Sequence, residues 1–262
     1  MASLHNLILI LLLSICTAES AELWNQFCNN NSKINYTSQL STNINSLLAE
    51  LVSETILNGF STGTYGKGND KVFGLAQCRG DVSSKDCFSC IQTASKEIRK
   101  LCPNQADAQI WYDYCFLRYD TDNFLGQSDT STGIIFYNVE NVTDPYSFNK
   151  QLGTLSDKVI AEAIKPGNKG LGKGKKELSS FLTLYELVQC TRDLSQLSCA
   201  QCLATAIGNF ATFCNNKKGC RVLYSSCIVR YELYPFFFPL DQKETLGNVP
   251  VENYYSYVVH KP

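Results

Sequence analysis

Sulfur is the first chemistry this sequence offers: thirteen cysteines in 262 residues, against two histidines. Cys78, Cys87 and Cys90 are spaced C-x8-C-x2-C, and Cys190, Cys199 and Cys202 repeat that spacing 112 residues later. Thiols so placed can hold zinc or be oxidised in pairs. Each half has one C-x-x-C pair and no histidine beside it, which is poor material for a four-ligand zinc site. An exported chain meets an oxidising compartment, where an even set of cysteines forms disulfides.

Histidine usage also bears on catalysis. His5 lies in an apolar leader and His260 near the C-terminus, so arrangements of a nucleophile with a histidine base have little to draw on. Asp120 and Glu232 have the chemistry of a glycosidase pair, but no spacing singles them out. No catalytic activity, cofactor or metal is therefore expected. Residues 167–173 fit the start of a phosphate-binding loop, yet Gly174 follows where Ser or Thr is needed, and a predicted helix rather than a strand precedes. The segment 167–176 is read as a flexible basic loop. A net charge of −1 gives no nucleic-acid footprint.

The elements that must position these residues come in two copies. The same offset maps Cys102 onto Cys214, Cys115 onto Cys227 and residues 73–77 onto 185–189, the mark of an in-frame duplication. The length suits about two domains, each with its own core. Residues 1–20 read as a signal peptide, an apolar run followed by small residues, and its removal takes Cys16 and leaves twelve cysteines. No later stretch is apolar enough to span a bilayer, so a secreted, extracellular product is expected.

In the first copy, 21–125, the pattern predicts a strand at 23–28, a helix at 38–57, turns over 59–68, a strand at 72–78, a helix capped by Ser84, and paired strands at 110–114 and 116–119. The second copy, 133–240, predicts a strand at 134–137, helices at 145–164 and 195–213, and strands at 182–190, 221–224 and 228–233. A polar connector, 126–132, lies between them, and a tail, 241–262, carries one more candidate strand at 254–259. The fold class is α+β: two tandem antiparallel sheets, each stapled by disulfides and covered by two helices.

With the C-x8-C-x2-C spacing, a further cysteine about a dozen residues on, and a last cysteine opening Cys227-Ile228-Val229-Arg230-Tyr231-Glu232, each copy resembles the plant ginkbilobin-homologous domain of salt-stress and antifungal proteins. Two copies behind a leader resemble the cysteine-rich repeat secretory proteins of the apoplast. That resemblance implies pairing Cys28 with Cys102, Cys78 with Cys87, Cys90 with Cys115, Cys190 with Cys199 and Cys202 with Cys227. In the second copy Glu140 stands where the first cysteine belongs and Cys220 is extra, so Cys214 and Cys220 are left to pair with each other.

The resemblance also implies a ligand. Ginkbilobin binds mannose through an Asn, an Arg and a Glu, whose matching positions are Asn29, Gln109 and Asp120 in the first copy and Asn141, Arg221 and Glu232 in the second. An amide, a guanidinium fork and a carboxylate suit vicinal hydroxyls. The expected carbohydrate residues are thus Asn141, Arg221 and Glu232, with Asn29, acting on mannose-type glycans of fungal or plant cell walls. Two alternatives stand beside this reading. Arg221 and Glu232 can form a cross-strand ion pair, or the whole chain can be a protein-interaction module for receptor ectodomains. Sequons at Asn30, Asn35 and Asn141 are candidate glycosylation sites. The aromatics Trp111, Tyr112, Tyr114, Phe116, Tyr234 and 236–238 suit either sugar stacking or a seam between the copies.

Overall fold

The computed structural model describes residues 21–240, 246–247 and 253–260. The expected leader, 1–20, lies outside the described residues, as do 241–245, 248–252 and 261–262 of the tail. Among the described residues, the first domain contains strands β1 (Leu23–Cys28), β2 (Phe60–Tyr65), β3 (Val72–Cys78), β4 (Ala108–Tyr112) and β5 (Cys115–Asp120), with helices α1 (Gln39–Asn58) and α2 (Ser84–Leu101). The second contains β6 (Thr132–Asn138), β7 (Leu171–Ser179), β8 (Leu182–Cys190), β9 (Cys220–Tyr224), β10 (Cys227–Glu232) and β11 (Tyr254–His260), with α3 (Pro145–Ala163), α4 (Gln196–Gly208) and the short α5 (Phe210–Phe213). The sheet orders are β1-β4-β5-β3-β2 and β11-β6-β9-β10-β8-β7.

Local chemistry sets the helix ends. Ser38, Ser83, Asp144 and Ser195 each accept a hydrogen bond from a first-turn amide, so the cap of α2 is Ser83 and not the expected Ser84, and Pro145 occupies the first turn of α3, where its missing N–H costs nothing. Gly59 closes α1 at φ 77°, a conformation that favours glycine.

The C-x-x-C spacing acquires its meaning from sheet register. Cys78 on β3 and Cys115 on β5 stand directly opposite each other. From the face of α2, Cys87 joins Cys78 and Cys90 joins Cys115, so one helix is fastened to two adjacent strands. In the second domain Cys190 faces Cys227 across β8 and β10, and the bonds Cys190–Cys199 and Cys202–Cys227 fasten α4 in the same way. Cys28–Cys102 ties the edge strand β1 to the end of α2, and Cys214–Cys220 closes the turn before β9. Glu140 forms an ion pair with Lys218 at 2.5 Å.

Two segments correct the sequence reading. Residues 60–65, expected as turns, form β2, and most of 167–176, expected as a flexible basic loop, falls in β7, Leu171–Ser179. Their glycines serve helix packing instead of chain reversal. A Cβ on Gly63 or Gly74, which face each other across β2 and β3, would lie 2.9 or 2.8 Å from Leu47 of α1. A Cβ on Gly172 would lie within 1.9 Å of the Val159 carbonyl of α3. Glycine in a strand here marks close approach of another backbone. The predicted helix 195–213 is also broken, after Gly208.

Each sheet buries one face under its helices. Ile44, Leu47, Ile91 and Ile98 pack on Ala108, Ile110, Leu117 and Tyr119 in the first domain, and Leu155, Val159, Leu203 and Ala206 pack on Val188, Val222 and Val229 in the second. The opposite faces meet each other. Trp111, with Phe116 packed against it, enters one cluster with Ile134, Phe136, Leu223 and Tyr254, and the Trp111 indole donates to the Tyr224 carbonyl at 3.4 Å. These aromatics fill the seam.

Candidate functional site

Alternation along β10 decides where the expected carbohydrate residues fall. Tyr231 belongs to the helix-side core, so Arg230 and Glu232 point to the seam between the domains. Arg230 is paired with Arg221 across β9, which brings two guanidiniums onto one carboxylate. Arg221 Nε donates to Glu232 Oε1 at 3.2 Å and Arg230 Nε donates to the same oxygen at 3.0 Å. The Tyr254 hydroxyl, carried by β11, donates to Glu232 Oε2 at 2.5 Å. Glu232 is 0% exposed, so a sugar hydroxyl reaches it only by displacing Tyr254. Asn141 is not part of this cluster: it is exposed and forms an isolated bridge with Lys217.

The pair Arg221–Glu232 is the end of a longer chain of charges. Arg79 holds Asp81 at 2.7 Å and Asp113 at 3.0 Å, and Asp113 accepts from Arg230 at 3.1 Å. Alternating signs thus run Asp81, Arg79, Asp113, Arg230, Glu232, Arg221 from one domain into the other. Burial alone would pull the Arg230 pKa down, but Glu232 and Asp113 raise it above its ordinary value. Burial and the Glu232 charge also push the Tyr254 phenol well above the usual range, so it remains a donor.

The matching residues of the first domain are arranged differently. Asn29 Nδ2 donates to Asp107 Oδ2 at 2.9 Å, while Asp120 accepts from Arg118 at 3.3 Å. Arg118 also pairs with Asp129 of the connector at 2.8 Å. Gln109 is buried, and its Oε1, Asp107 Oδ1 and Arg118 Nε have no protein partner. Burial, reinforced by Asp120, lifts the Asp107 carboxyl to about 6.

Arg118 and Arg230 were not picked out from the sequence as site residues, although the offset relates them. It also relates the rings that cover them: Phe124 lies 4.2 Å from the Arg118 guanidinium and Phe236 lies 4.1 Å from that of Arg230. Trp24 and Tyr254 carried no comparable signal, because their roles depend on which strand each meets.

Between the domains, Trp24, Asp113, Tyr114, Arg221, Arg230 and Phe236 line a cavity of about 370 Å³. The Trp24 ring lies over both guanidiniums, 5.1 Å from Arg221 and 5.5 Å from Arg230, and its Nε1 is buried without a partner. Aromatic faces, guanidinium donors and a carboxylate acceptor thus border one space of small-ligand size.

Sequence and fold comparisons agree with this architecture. The salt stress response/antifungal family model matches residues 27–122 and 137–234. The chain is 58% identical over 240 residues to cysteine-rich repeat secretory protein 55 of Arabidopsis thaliana, covering 90% of this chain and 91% of the relative. It is 41% identical over 228 residues to the antimicrobial ginkbilobin-2-like protein of Castanea crenata, covering 87% and 94%. The tandem DUF26 ectodomain of the Arabidopsis thaliana cysteine-rich receptor-like protein PDLP8 superposes with a TM-score of 0.70 at 29% identity, over 81% of this chain and 98% of that one. Among the described residues, no helix is long and apolar enough to cross a membrane. By its two matched segments and its close relatives, this chain belongs to the salt stress response/antifungal family, as a tandem of two such domains.

Proposed function

We propose that the protein is a non-enzymatic binding protein of the apoplast that recognises mannose-type carbohydrate in defence against fungi. The observation that carries this reading is the cavity between the domains, where Trp24 stacks over Arg221 and Arg230 beside Asp113. A hexose offers an apolar C–H face to the indole, oxygen acceptors to the guanidiniums, and hydroxyl donors to the carboxylate. In this reading Arg221 donates to the sugar, and Glu232 orients it from behind. The antimicrobial name of the Castanea relative supports the defence role.

Calorimetry and a glycan array with the oxidised protein test this. Mannose-terminated glycans bind, and Trp24→Ala and Arg221→Ala each lose most of the affinity. Arg221→Ala keeps its fold, because Arg230 and Tyr254 still hold Glu232. Absence of binding by the intact protein to any mannose-containing glycan ends the proposal.

A second reading, an interaction module for receptor ectodomains, is favoured by one feature. On β11, Tyr255 and Tyr257, alternate residues on one face of an edge strand, are exposed by 61% and 54%. Such an apolar strip is a partner surface by composition. Capture of a receptor ectodomain that is lost in Tyr255→Ser with Tyr257→Ser but retained in Trp24→Ala supports it over the first.

A further inference from the structure

Asn141 is both an expected carbohydrate residue and the acceptor of the sequon Asn141-Val142-Thr143, but the fold separates it from Arg221 and Glu232. Arg221 and Glu232 face the seam, whereas Val142 and Thr143 form one wall of a groove on the helix side of the sheet. The groove has a volume of about 740 Å³ and runs between the start of α3 and the β7–β8 hairpin. That is ample for a ligand of several rings (roughly 300–1,000 Å³). Its floor is apolar, from Phe148, Leu178, Leu182 and Leu233, and its rim is polar, with Ser147 and Gln151 among its members. Leu182 is 38% exposed, and Phe181 beside it is 99% exposed.

We propose that Asn141 carries an N-linked glycan whose first sugars lie in this groove and cover its apolar floor. Three observations converge. Asn141 is exposed on an isolated bridge, so its amide is accessible. The two residues that complete the sequon are the groove wall itself, so a glycan leaving Asn141 starts at the groove's edge. The lining then matches the core of an N-glycan, whose N-acetylglucosamine units present acetyl methyl groups and C–H faces to apolar side chains and hydroxyls to a polar rim. Attachment uses a lipid-linked oligosaccharide diphosphate as donor. A bond forms between Asn141 Nδ2 and C1 of the first sugar, the C1–O bond to the diphosphate breaks, the diphosphate departs with the bonding pair, and Nδ2 gives up one proton.

This inference does not rest on the free-carbohydrate reading, since the two sites lie on opposite faces of the sheet. It is tested on the full chain secreted from cells restricted to oligomannose glycans. Glycopeptide mapping finds Asn141 occupied. Hydroxyl-radical footprinting then compares the glycosylated protein with the same folded sample trimmed by endoglycosidase to a single N-acetylglucosamine. Labelling at Leu178 and Leu182 rises several-fold on trimming, while a control position in the first domain, Leu57, is unchanged. An unmodified Asn141 in the secreted protein overturns the proposal, and so does equal labelling of Leu178 and Leu182 before and after trimming.

Discussion

Gln77 and Gln189 are one residue in two copies, and each reaches into the other's domain to make the same two bonds. Gln77 Nε2 donates to the Cys190 carbonyl at 2.9 Å, and its Oε1 accepts from Arg192 N at 2.9 Å. Gln189 Nε2 donates to the Cys78 carbonyl at 3.2 Å, and its Oε1 accepts from Gly80 N at 3.0 Å. Residue i meets j while j meets i, as in an isologous dimer, so the tandem chain reproduces within itself a pseudo-twofold interface.

Because these amides satisfy a carbonyl at a buried contact and an N–H at a part-buried one, Gln77→Ala leaves both groups of the other domain without their partner. The expected cost is about 1–3 kcal/mol, with a matching cost for Gln189→Ala. Urea denaturation measures both, and limited proteolysis of the connector should quicken in each variant. Unchanged midpoints would remove these residues from the account of domain docking.

Glu232 is the more costly position. In Glu232→Gln both Arg221 and Arg230 keep their buried charge without the carboxylate they share, an expected loss of about 3–5 kcal/mol. Arg221→Ala leaves the Arg230 pair intact and is expected to cost clearly less. Denaturation midpoints of the two variants, measured side by side, check the order.

A buried acid in the second domain makes stability depend on pH. Glu186 is 0% exposed, hydrogen bonded through Oε1 to Ser156 at 2.7 Å, and burial raises its pKa from 4.5 to about 8. The folded state therefore binds a proton that the unfolded state has released. This group favours folding most below 4.5, and that advantage is lost as pH rises from 4.5 to about 8. Asp107, raised from 3.8 to about 6, acts in the same direction over its own lower window. Thermal unfolding should show a melting temperature that falls from mildly acidic to alkaline pH, and Glu186→Gln should flatten the fall. An equally steep profile in the variant would place the dependence elsewhere.

The disulfides should contribute unequally, because loop entropy grows with the length of chain enclosed. Removing Cys28–Cys102, which spans 74 residues, by paired Cys→Ser changes is expected to cost roughly 4 kcal/mol. Removing Cys214–Cys220, which spans 6, is expected to cost roughly 2 kcal/mol. Non-reducing peptide mapping should recover both linkages, and free thiol at Cys220 would contradict the second.

Legibility tracks the range of the interaction. The amphipathic spacing of Ile44, Leu47, Leu48 and Leu51 was enough to place α1, because a helix displays its buried face every three or four residues. Gly63 and Gly172 misled, because glycine permits a turn and also permits another backbone to approach, and only the position of α1 or α3 chooses between them.

What the sequence by itself determined was the duplication and the α+β class, which follow from residue spacing along one chain, while the partners of its sulfur were what the resemblance to the ginkbilobin-homologous domain implied. Only the tertiary structure decided that the sheet faces carrying Trp111 and Arg221 press together, that β11 brings Tyr254 onto Glu232, and that Asn141 stays apart from that cluster. Those outcomes depend on strands distant in sequence finding one another, and burying a carboxylate between domains is stable only when every oxygen meets a donor that the whole fold supplies.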